Sequence, residues 1–163
     1  MNKKVRNLTH SAVLAAIYVT LTHLQNILFP NSATMAVQFR LSESLCVLAF
    51  FTPAAIPGLS LGCLLFNLTS GAALPLDFLV GTAATALSTW TMWLTRRITL
   101  KGYPLPGLLM PALFNAILVG WELRVYIGSG FAINALLVAL GEAVVLLLPG
   151  AALYYAIRRR RIL

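Results

Sequence analysis

The segment from Phe131 to Tyr155 contains one charged side chain, that of Glu142, among mostly Leu, Val, Ala and Gly residues. Similar apolar segments follow one another along the chain, which is 60% hydrophobic and only 10% charged. Soluble domains carry about a quarter charged residues, so a chain this apolar is typical of a membrane protein. The sequence therefore predicts an all-α integral membrane protein, and its length predicts one domain over residues 1–163.

Proline, glycine and basic residues divide the apolar segments into six predicted transmembrane helices. The expected bounds are residues 9–29, 42–52, 54–70, 77–96, 106–126 and 131–158. The start of the chain has the basic and then apolar pattern of a signal peptide, but no clear A-x-A cleavage site follows. We therefore expect an uncleaved first span.

Basic residues are concentrated in three segments of the chain. Ten of the 12 Lys and Arg residues are Lys3, Lys4, Arg6, Arg96, Arg97, Lys101, Arg158, Arg159, Arg160 and Arg161. With six helices all three segments lie on one side, which the positive-inside rule assigns to the cytoplasm together with both termini. Because the basic residues lie between apolar runs, the net charge of +8 indicates loops and contact with anionic lipid, and no nucleic-acid partner is expected.

All four acidic residues are predicted in the outer half of the membrane: Glu43, Asp77, Glu122 and Glu142. At about 1.5 Å per residue, Glu122 lies roughly 24 Å above the cytoplasmic start of its helix. An ionisable side chain inside a span costs roughly 2.5–3.5 kcal/mol on insertion scales, so it is usually kept for function or as half of a pair. Arg40 precedes Glu43 just before the short second helix, on non-helical backbone. Such backbone is tolerated inside a membrane only where protein or a water-filled cavity covers it.

Three amides, Asn67, Asn115 and Asn134, are expected at a similar depth. Together with the acids they predict a small polar pocket, open to the outside and with excess negative charge. Purely structural roles remain open at this point: an Arg40–Glu43 salt bridge, helix capping by Asp77, and asparagines that tie helices together.

No Walker motif, GxGxxG, HExxH or nucleophile elbow is present, and Asp, Glu and His are too sparse for a metal cluster, so no enzyme activity is expected. Cys46 and Cys63 are interpreted as small buried hydrophobic residues. A pocket without catalytic residues favours substrate capture and transport. A partner protein would then supply the energy. Small residues at spacings of four in the first and third helices, such as Ala12 and Ala16 or Gly58 and Gly62, allow close helix approach, either to a partner or internally.

Several longer segments resemble the QueT family of substrate-binding S components of energy-coupling factor transporters. They are VQFRLSESL (37–45), FFTPAAIPGLSLGCLLFNL (50–68), PLDFLVGTAAT (75–85), FNAILVGWEL (114–123) and INALLVALGE (133–142). The stretch Ala12–Ala16 resembles the AxxxA motif with which S components dock, so Ala12, Ala15 and Ala16 are expected to meet a partner.

The resemblance implies a six-helix S-component fold in the plasma membrane, in a bacterium, and uptake of a queuosine precursor such as 7-aminomethyl-7-deazaguanine. It also implies a transmembrane coupling protein and two ATPase subunits, which use ATP, while this chain needs no cofactor. The expected substrate-binding residues are Arg40, Glu43, Asn67, Asp77, Asn115, Glu122, Asn134, Glu142, Trp121 and Phe39. Trp90 and Tyr126 are further aromatic candidates for stacking on the base.

Other functions remain open on sequence alone. An S component for a different vitamin-like molecule would have a similar pocket. A non-transport membrane subunit would use its polar residues only to hold helices together, and a small intramembrane enzyme is disfavoured by the missing catalytic constellation.

Overall fold

The computed structural model describes residues 2–30, 32, 39–71, 73–100 and 102–160. These residues form helices and turns with no β-strand, apart from an isolated bridge between Leu100 and Tyr103, and this confirms the all-helical prediction. Lys101 and Arg161, predicted to be cytoplasmic, lie outside the described residues, as does the segment 33–38 that opens the resemblance around Arg40.

Apolar segments between prolines, glycines and polar turns form the helices of the chain. In order they are α1 (Lys3–Leu28), a 3₁₀ helix (Leu41–Phe50), α2 (Ala55–Thr69), α3 (Asp77–Thr95), α4 (Leu105–Leu108), α5 (Met110–Ile127), α6 (Phe131–Val145), a π-helical turn (Leu146–Gly150) and α7 (Ala151–Arg160). The first helix begins at Lys3 rather than near Thr9, because Asn2 accepts a hydrogen bond from the Lys4 amide and caps it.

Three helical segments are long and apolar enough to cross a membrane: Lys3–Leu28, Leu105–Ile127 and Phe131–Arg160. The segment Phe131–Arg160 contains Pro149 within its π-helical turn, where a standard helix would lose a backbone hydrogen bond. Leu41–Phe50 and Ala55–Thr69 are shorter apolar helices. The chain is therefore built as a multi-pass membrane protein.

The 3₁₀ helix lies at the centre of the bundle and packs against α1, α2, α3, α6 and α7. The sequence predicts an α-helix here, ending near Thr52. The 3₁₀ helix instead ends at Phe50, because Pro53 disfavours helical backbone at the residue before it. At about 2.0 Å per residue it covers roughly 20 Å of an approximately 30 Å hydrocarbon core.

The longer helices form a row in which α1 packs on α2, α2 on α3, α3 on α5, and α5 on α6. Close approach of α1 and α2 depends on Gly58 and Gly62, since a Cβ at Gly58 would lie 2.8 Å from the Ser11 carbonyl oxygen. An apolar core that includes Tyr18, Phe66 and Met92 fills the centre of the helix bundle. The polar residues of the predicted site lie inside this framework.

Candidate functional site: a buried polar cluster

The four acidic side chains are all buried, with at most 2% of each exposed. They come from different elements: Glu43 from the 3₁₀ helix, Asp77 from α3, Glu122 from α5 and Glu142 from α6. The buried cation Arg40 lies electrostatically close to each of them. These elements therefore bring all four acidic side chains of the sequence near one guanidinium, and we call the group of Arg40, Glu43, Asp77, Glu122 and Glu142 the polar cluster.

Glu43 is held by two donors from separate elements. The Tyr18 hydroxyl of α1 donates to Glu43 Oε1 at 2.5 Å, and the Cys46 thiol donates to Oε2 at 3.1 Å. Beside it, Thr22 donates to the Ser42 hydroxyl at 2.7 Å. Both oxygens of the Glu43 carboxylate thus have a protein donor, which fixes its orientation.

Arg40 immediately precedes the 3₁₀ helix, on extended backbone. Its Nη1 lies 3.8 Å from the Cys63 sulfur of α2, and its guanidinium carbon lies 5.8 Å from the centre of the Phe66 ring. The guanidinium interacts with Glu43 and Asp77 through its charge. This geometry supports the prediction that Arg40 belongs to the same site as Glu43.

Gly81 in α3 makes room for the groups around Arg40. A Cβ on Gly81 would lie 2.8 Å from Asn67 Nδ2 and 3.6 Å from Arg40 Nη1. The Asn67 amide donates to the Asp77 carbonyl oxygen at 2.8 Å, which joins the end of α2 to the start of α3. Asn67 therefore serves a structural role with its nitrogen, while its buried oxygen has no hydrogen-bond partner among the described residues.

Asp77 and Glu122 meet where α3 packs on α5. The Leu74 amide donates to Asp77 Oδ2 at 2.7 Å, so one oxygen of Asp77 fixes the turn that leads into α3 and does not cap the helix. The Asp77 carboxyl lies electrostatically close to Glu122. Neither Glu122 oxygen receives a hydrogen bond from a donor in the described parts of the chain.

Glu142 and Asn134 are two buried polar residues of α6. The Asn115 amide of α5 donates to Glu142 Oε1 at 3.0 Å, and Ser129 donates to Asn134 Oδ1 at 2.8 Å. The other polar atoms of the two α6 residues, Glu142 Oε2 and Asn134 Nδ2, are buried without a partner in the described structure. Each residue is thus oriented by one hydrogen bond and keeps a second polar atom available.

The predicted aromatic residues do not join this cluster. Trp121 and Phe39 are 50% and 41% exposed and lie on the outer surface of the bundle, with Trp90 and Tyr126 also exposed. Trp121 directly precedes Glu122, and successive helix positions point about 100° apart, so a buried Glu122 turns the tryptophan outward. Stacking of these aromatics on a ligand stays a prediction, and in the described structure Phe66 is the aromatic ring beside Arg40.

The predicted opening to the outside is also absent from the described conformation, since the cluster is closed to solvent. A separate cavity of about 430 Å³ lies against α1, the start of the 3₁₀ helix and α6. Its lining is almost entirely apolar and contains none of the four acids; it consists of Gln25, Phe29, Ser32, Phe39, Leu41, Val144, Val145 and Pro149. Among the described residues no group of three His, Cys, Asp or Glu side chains is placed to hold a metal ion.

The small residues of α1 divide into an internal and an external stripe. Ala15 is 3% exposed, and a Cβ on Gly62 would lie 3.1 Å from its carbonyl oxygen, so Ala15 packs against α2. Ala12 and Ala16 are exposed. Direct contact of Ala15 with a partner stays a prediction, and in the described structure α2 covers this residue.

Sequence reasoning missed Tyr18, Cys46, Cys63 and Gly81 as members of the site. The interpretation of the cysteines as plain hydrophobic residues is incomplete, because Cys46 donates to Glu43 and Cys63 lies against Arg40. The available signal was residue type: Tyr18 and Cys63 each bring a hydrogen-bonding side chain into a predicted membrane span.

Buried acids and amides inside apolar membrane helices are typical of membrane proteins with an internal polar site. A scan against family models matches the QueT transporter family over residues 8–159, and the chain belongs to that family. It is therefore a multi-pass membrane transport protein rather than a member of an enzyme family. Neither the curated proteins nor the solved structures gave a match.

Proposed function

We propose that this chain is the substrate-capture subunit, or S component, of an energy-coupling factor importer in the bacterial plasma membrane. Membership of the QueT transporter family supports transport, and the sequence contains no Walker motif with which the chain could use ATP itself. In this proposal a transmembrane coupling protein and two ATPase subunits supply the energy, and the chain itself binds no cofactor.

The proposed substrate is a queuosine precursor, 7-aminomethyl-7-deazaguanine or a close relative, bound in the polar cluster. The observation that carries this proposal is a set of buried polar atoms that have no hydrogen-bond partner in the described structure. They are the two Glu122 oxygens, Glu142 Oε2, Asn67 Oδ1 and Asn134 Nδ2. Such atoms cost roughly 1–3 kcal/mol each when left unsatisfied, so a ligand that pairs with them is favoured.

The chemistry of the precursor is complementary to these atoms. Its N1 and N2 groups donate in parallel, which suits the free oxygen of Glu142 beside the Asn115 amide. Its O6 atom needs a donor, which Asn134 or Arg40 can supply. Its aminomethyl group is a cation near neutral pH and suits the remaining carboxyls, Glu122 and Asp77.

The proposed topology has six membrane segments with both termini in the cytoplasm. The second segment is the 3₁₀ helix, and α4–α5 and α6–α7 form the fifth and sixth. The polar cluster then lies in the outer half of the membrane, and substrate enters from outside when the closed conformation opens. The exposed stripe of Ala12 and Ala16 is the proposed contact with the coupling protein.

Calorimetric titration of the detergent-purified chain tests the substrate. We expect tight binding of 7-aminomethyl-7-deazaguanine and much weaker binding of guanine and of the 7-cyano analogue, which lack the cationic group. A folded, monodisperse protein that gives no heat with any of the three would overturn the substrate assignment.

The partners are tested separately by co-expression with a coupling protein and two ATPases. Co-purification of all four chains supports an S component. If the chain binds its ligand but does not co-purify with the coupling protein and the ATPases, transport by a different assembly is favoured.

A further inference from the structure

The 3₁₀ helix begins with an arginine at the position where a capping residue usually stands. Arg40 is its N-cap residue, on extended backbone, and its side chain makes no capping hydrogen bond. N-cap positions favour Ser, Thr, Asp and Asn, because their oxygens accept from the first amides of a helix. A guanidinium has donors and no acceptor, so Arg40 cannot cap the helix. The amide of Leu41, the first residue of the helix, therefore needs an acceptor from elsewhere in the fold.

The side-chain amide of Gln25, on α1, supplies this acceptor. Its Oε1 accepts from the Leu41 amide at 2.7 Å. Its Nε2 donates to the Phe39 carbonyl oxygen and, at 2.9 Å, to the Ser32 hydroxyl. Gln25 thus caps the 3₁₀ helix from a neighbouring helix and uses its nitrogen as well as its oxygen.

The two backbone partners of Gln25 belong to the two peptide groups that flank Arg40. The Phe39 carbonyl precedes the Arg40 Cα and the Leu41 amide follows it, so Gln25 restricts both backbone dihedral angles of Arg40. These angles, φ −95° and ψ 98°, set the direction in which the side chain leaves the backbone. The side chain runs into the bundle, since it is 3% exposed and its Nη1 lies 3.8 Å from the Cys63 sulfur.

The surroundings of Gln25 make its hydrogen bonds hard to replace. Gln25, Ser32, Phe39 and Leu41 all line the apolar cavity of about 430 Å³. A backbone N–H or C=O group that loses its partner in an apolar site costs free energy, and in lipid no water takes the place of that partner. An apolar residue at position 25 would therefore release the backbone around Arg40.

We propose that Gln25 is a positioning residue of the ligand site: it caps the 3₁₀ helix, lets an arginine occupy the N-cap position and directs the Arg40 guanidinium into the site. This inference rests on the proposed function, in which the polar cluster binds the substrate. Gln25 has no assigned contact with the ligand, so its effect on binding acts through Arg40 alone. That dependence distinguishes it from an ordinary helix contact.

The test is a double-mutant cycle with Gln25→Met and Arg40→Ser. Methionine suits the apolar cavity and forms neither backbone hydrogen bond, whereas serine supplies its own capping oxygen and no guanidinium. We expect Gln25→Met to weaken binding of 7-aminomethyl-7-deazaguanine about tenfold in calorimetry. The double variant should bind as Arg40→Ser does, within about threefold, because Gln25 then has no arginine to position.

Thermal unfolding gives a second cycle that needs no ligand. Gln25→Met should lower the unfolding temperature of the chain that carries Arg40. The decrease should be smaller in the Arg40→Ser background, since serine caps the helix itself. Leu24→Met, at the adjacent and 50% exposed position of α1, is the matched control and should change neither affinity nor unfolding temperature.

If Arg40→Ser does not fold, labelling of arginines with phenylglyoxal decides, with peptide mass spectrometry as the readout. Arg40 should stay protected in the unsubstituted chain and in Leu24→Met, and should react in Gln25→Met. The exposed Arg124 serves as internal reference. If Gln25→Met does not fold, Gln25→Glu replaces it with the same expected results, because a carboxylate cannot donate to the Phe39 carbonyl.

The outcomes separate the two proposals. Unchanged affinity in folded Gln25→Met, losses of affinity that multiply in the double variant, or an Arg40 that stays protected in folded Gln25→Met each overturn the positioning role and leave the proposed function intact. If the unsubstituted chain binds neither 7-aminomethyl-7-deazaguanine nor guanine nor the 7-cyano analogue, the proposed function and the role of Gln25 in binding are overturned together.

Discussion

The Tyr18 hydroxyl links α1 to the carboxylate of Glu43 through a 2.5 Å hydrogen bond inside the protein. Tyr18→Phe removes this donor, so the buried Glu43 Oε1 loses its hydrogen bond from Tyr18. Because hydrogen bonds to charged groups contribute about 1.5–3 kcal/mol, we expect a loss of stability of that order, measured by thermal unfolding in detergent.

The matched control is Tyr126→Phe, since Tyr126 is 41% exposed at the end of α5. It should change stability by less than about 0.5 kcal/mol. A Tyr18→Phe variant as stable as the control would mean that Glu43 finds another donor and that Tyr18 does not hold it.

Glu142 offers a cleaner separation of structure and binding. Glu142→Gln keeps an oxygen that can accept from Asn115, so the α5–α6 contact should survive and the fold with it. Its other atom becomes a donor where the ligand edge also donates. We expect affinity for 7-aminomethyl-7-deazaguanine to fall about 10- to 100-fold in calorimetry, with unfolding temperature nearly unchanged. Unchanged affinity would remove Glu142 from the proposed site.

Charged residues in apolar segments could be identified from sequence because their cost in lipid is independent of the fold. The burial of Arg40, Glu43, Asp77, Glu122 and Glu142 in one cluster agrees with that reasoning. Gly81 and Cys63 could not be identified this way. Their contribution is space and a weak acceptor beside Arg40, and both depend on how α2 and α3 happen to meet.

The contact between α1 and α2 is a close approach between helices that can be tested. A Cβ on Gly62 would lie 2.7 Å from the Tyr18 Cβ. Gly62→Ala therefore forces the helices apart and moves Tyr18 away from Glu43. Overpacking of this kind costs about 1–3 kcal/mol, so we expect a lower unfolding temperature and weaker ligand binding together.

Gly71→Ala is the control, because a Cβ there has no neighbouring atom within 4 Å. It should leave both unfolding temperature and affinity close to those of the unsubstituted chain. An equally tolerated Gly62→Ala would indicate that α1 and α2 can separate without disturbing the polar cluster.

Apolar length was enough to predict that these segments are helices, but it did not determine what kind of helix each one forms. The 3₁₀ helix Leu41–Phe50 and the π-helical turn Leu146–Gly150 both lie at packing contacts with other elements. A Cβ on Gly150 would lie 3.8 Å from the Ser44 Cα, so the π-helical turn and the 3₁₀ helix pack on each other. Tertiary contacts of this kind are not encoded in a local apolar pattern.

Across the whole chain, the sequence predicted a polar pocket but not its closure. The acids indicate where polarity lies, whereas closure depends on whether the 3₁₀ helix and the row α1–α2–α3–α5–α6 enclose them. The outward position of Trp121 follows from the same geometry. In the proposed capture role, this closed form would shield a bound substrate from lipid and water.

The last prediction concerns how the whole molecule meets its partner. Ala15 is covered by α2, whereas Ala16 on the next position of α1 is exposed. If the exposed stripe docks on the coupling protein, Ala16→Leu should abolish co-purification with the coupling protein and ATPases, because a bulky side chain prevents close helix approach. Ligand affinity of the isolated chain should stay the same, since Ala16 is exposed on α1 whereas the polar cluster is buried. Ala15→Leu should do the reverse: it disturbs the α1–α2 contact, and so lowers stability and ligand affinity even without a partner. Co-purification of an intact complex with Ala16→Leu would move the docking surface away from this stripe.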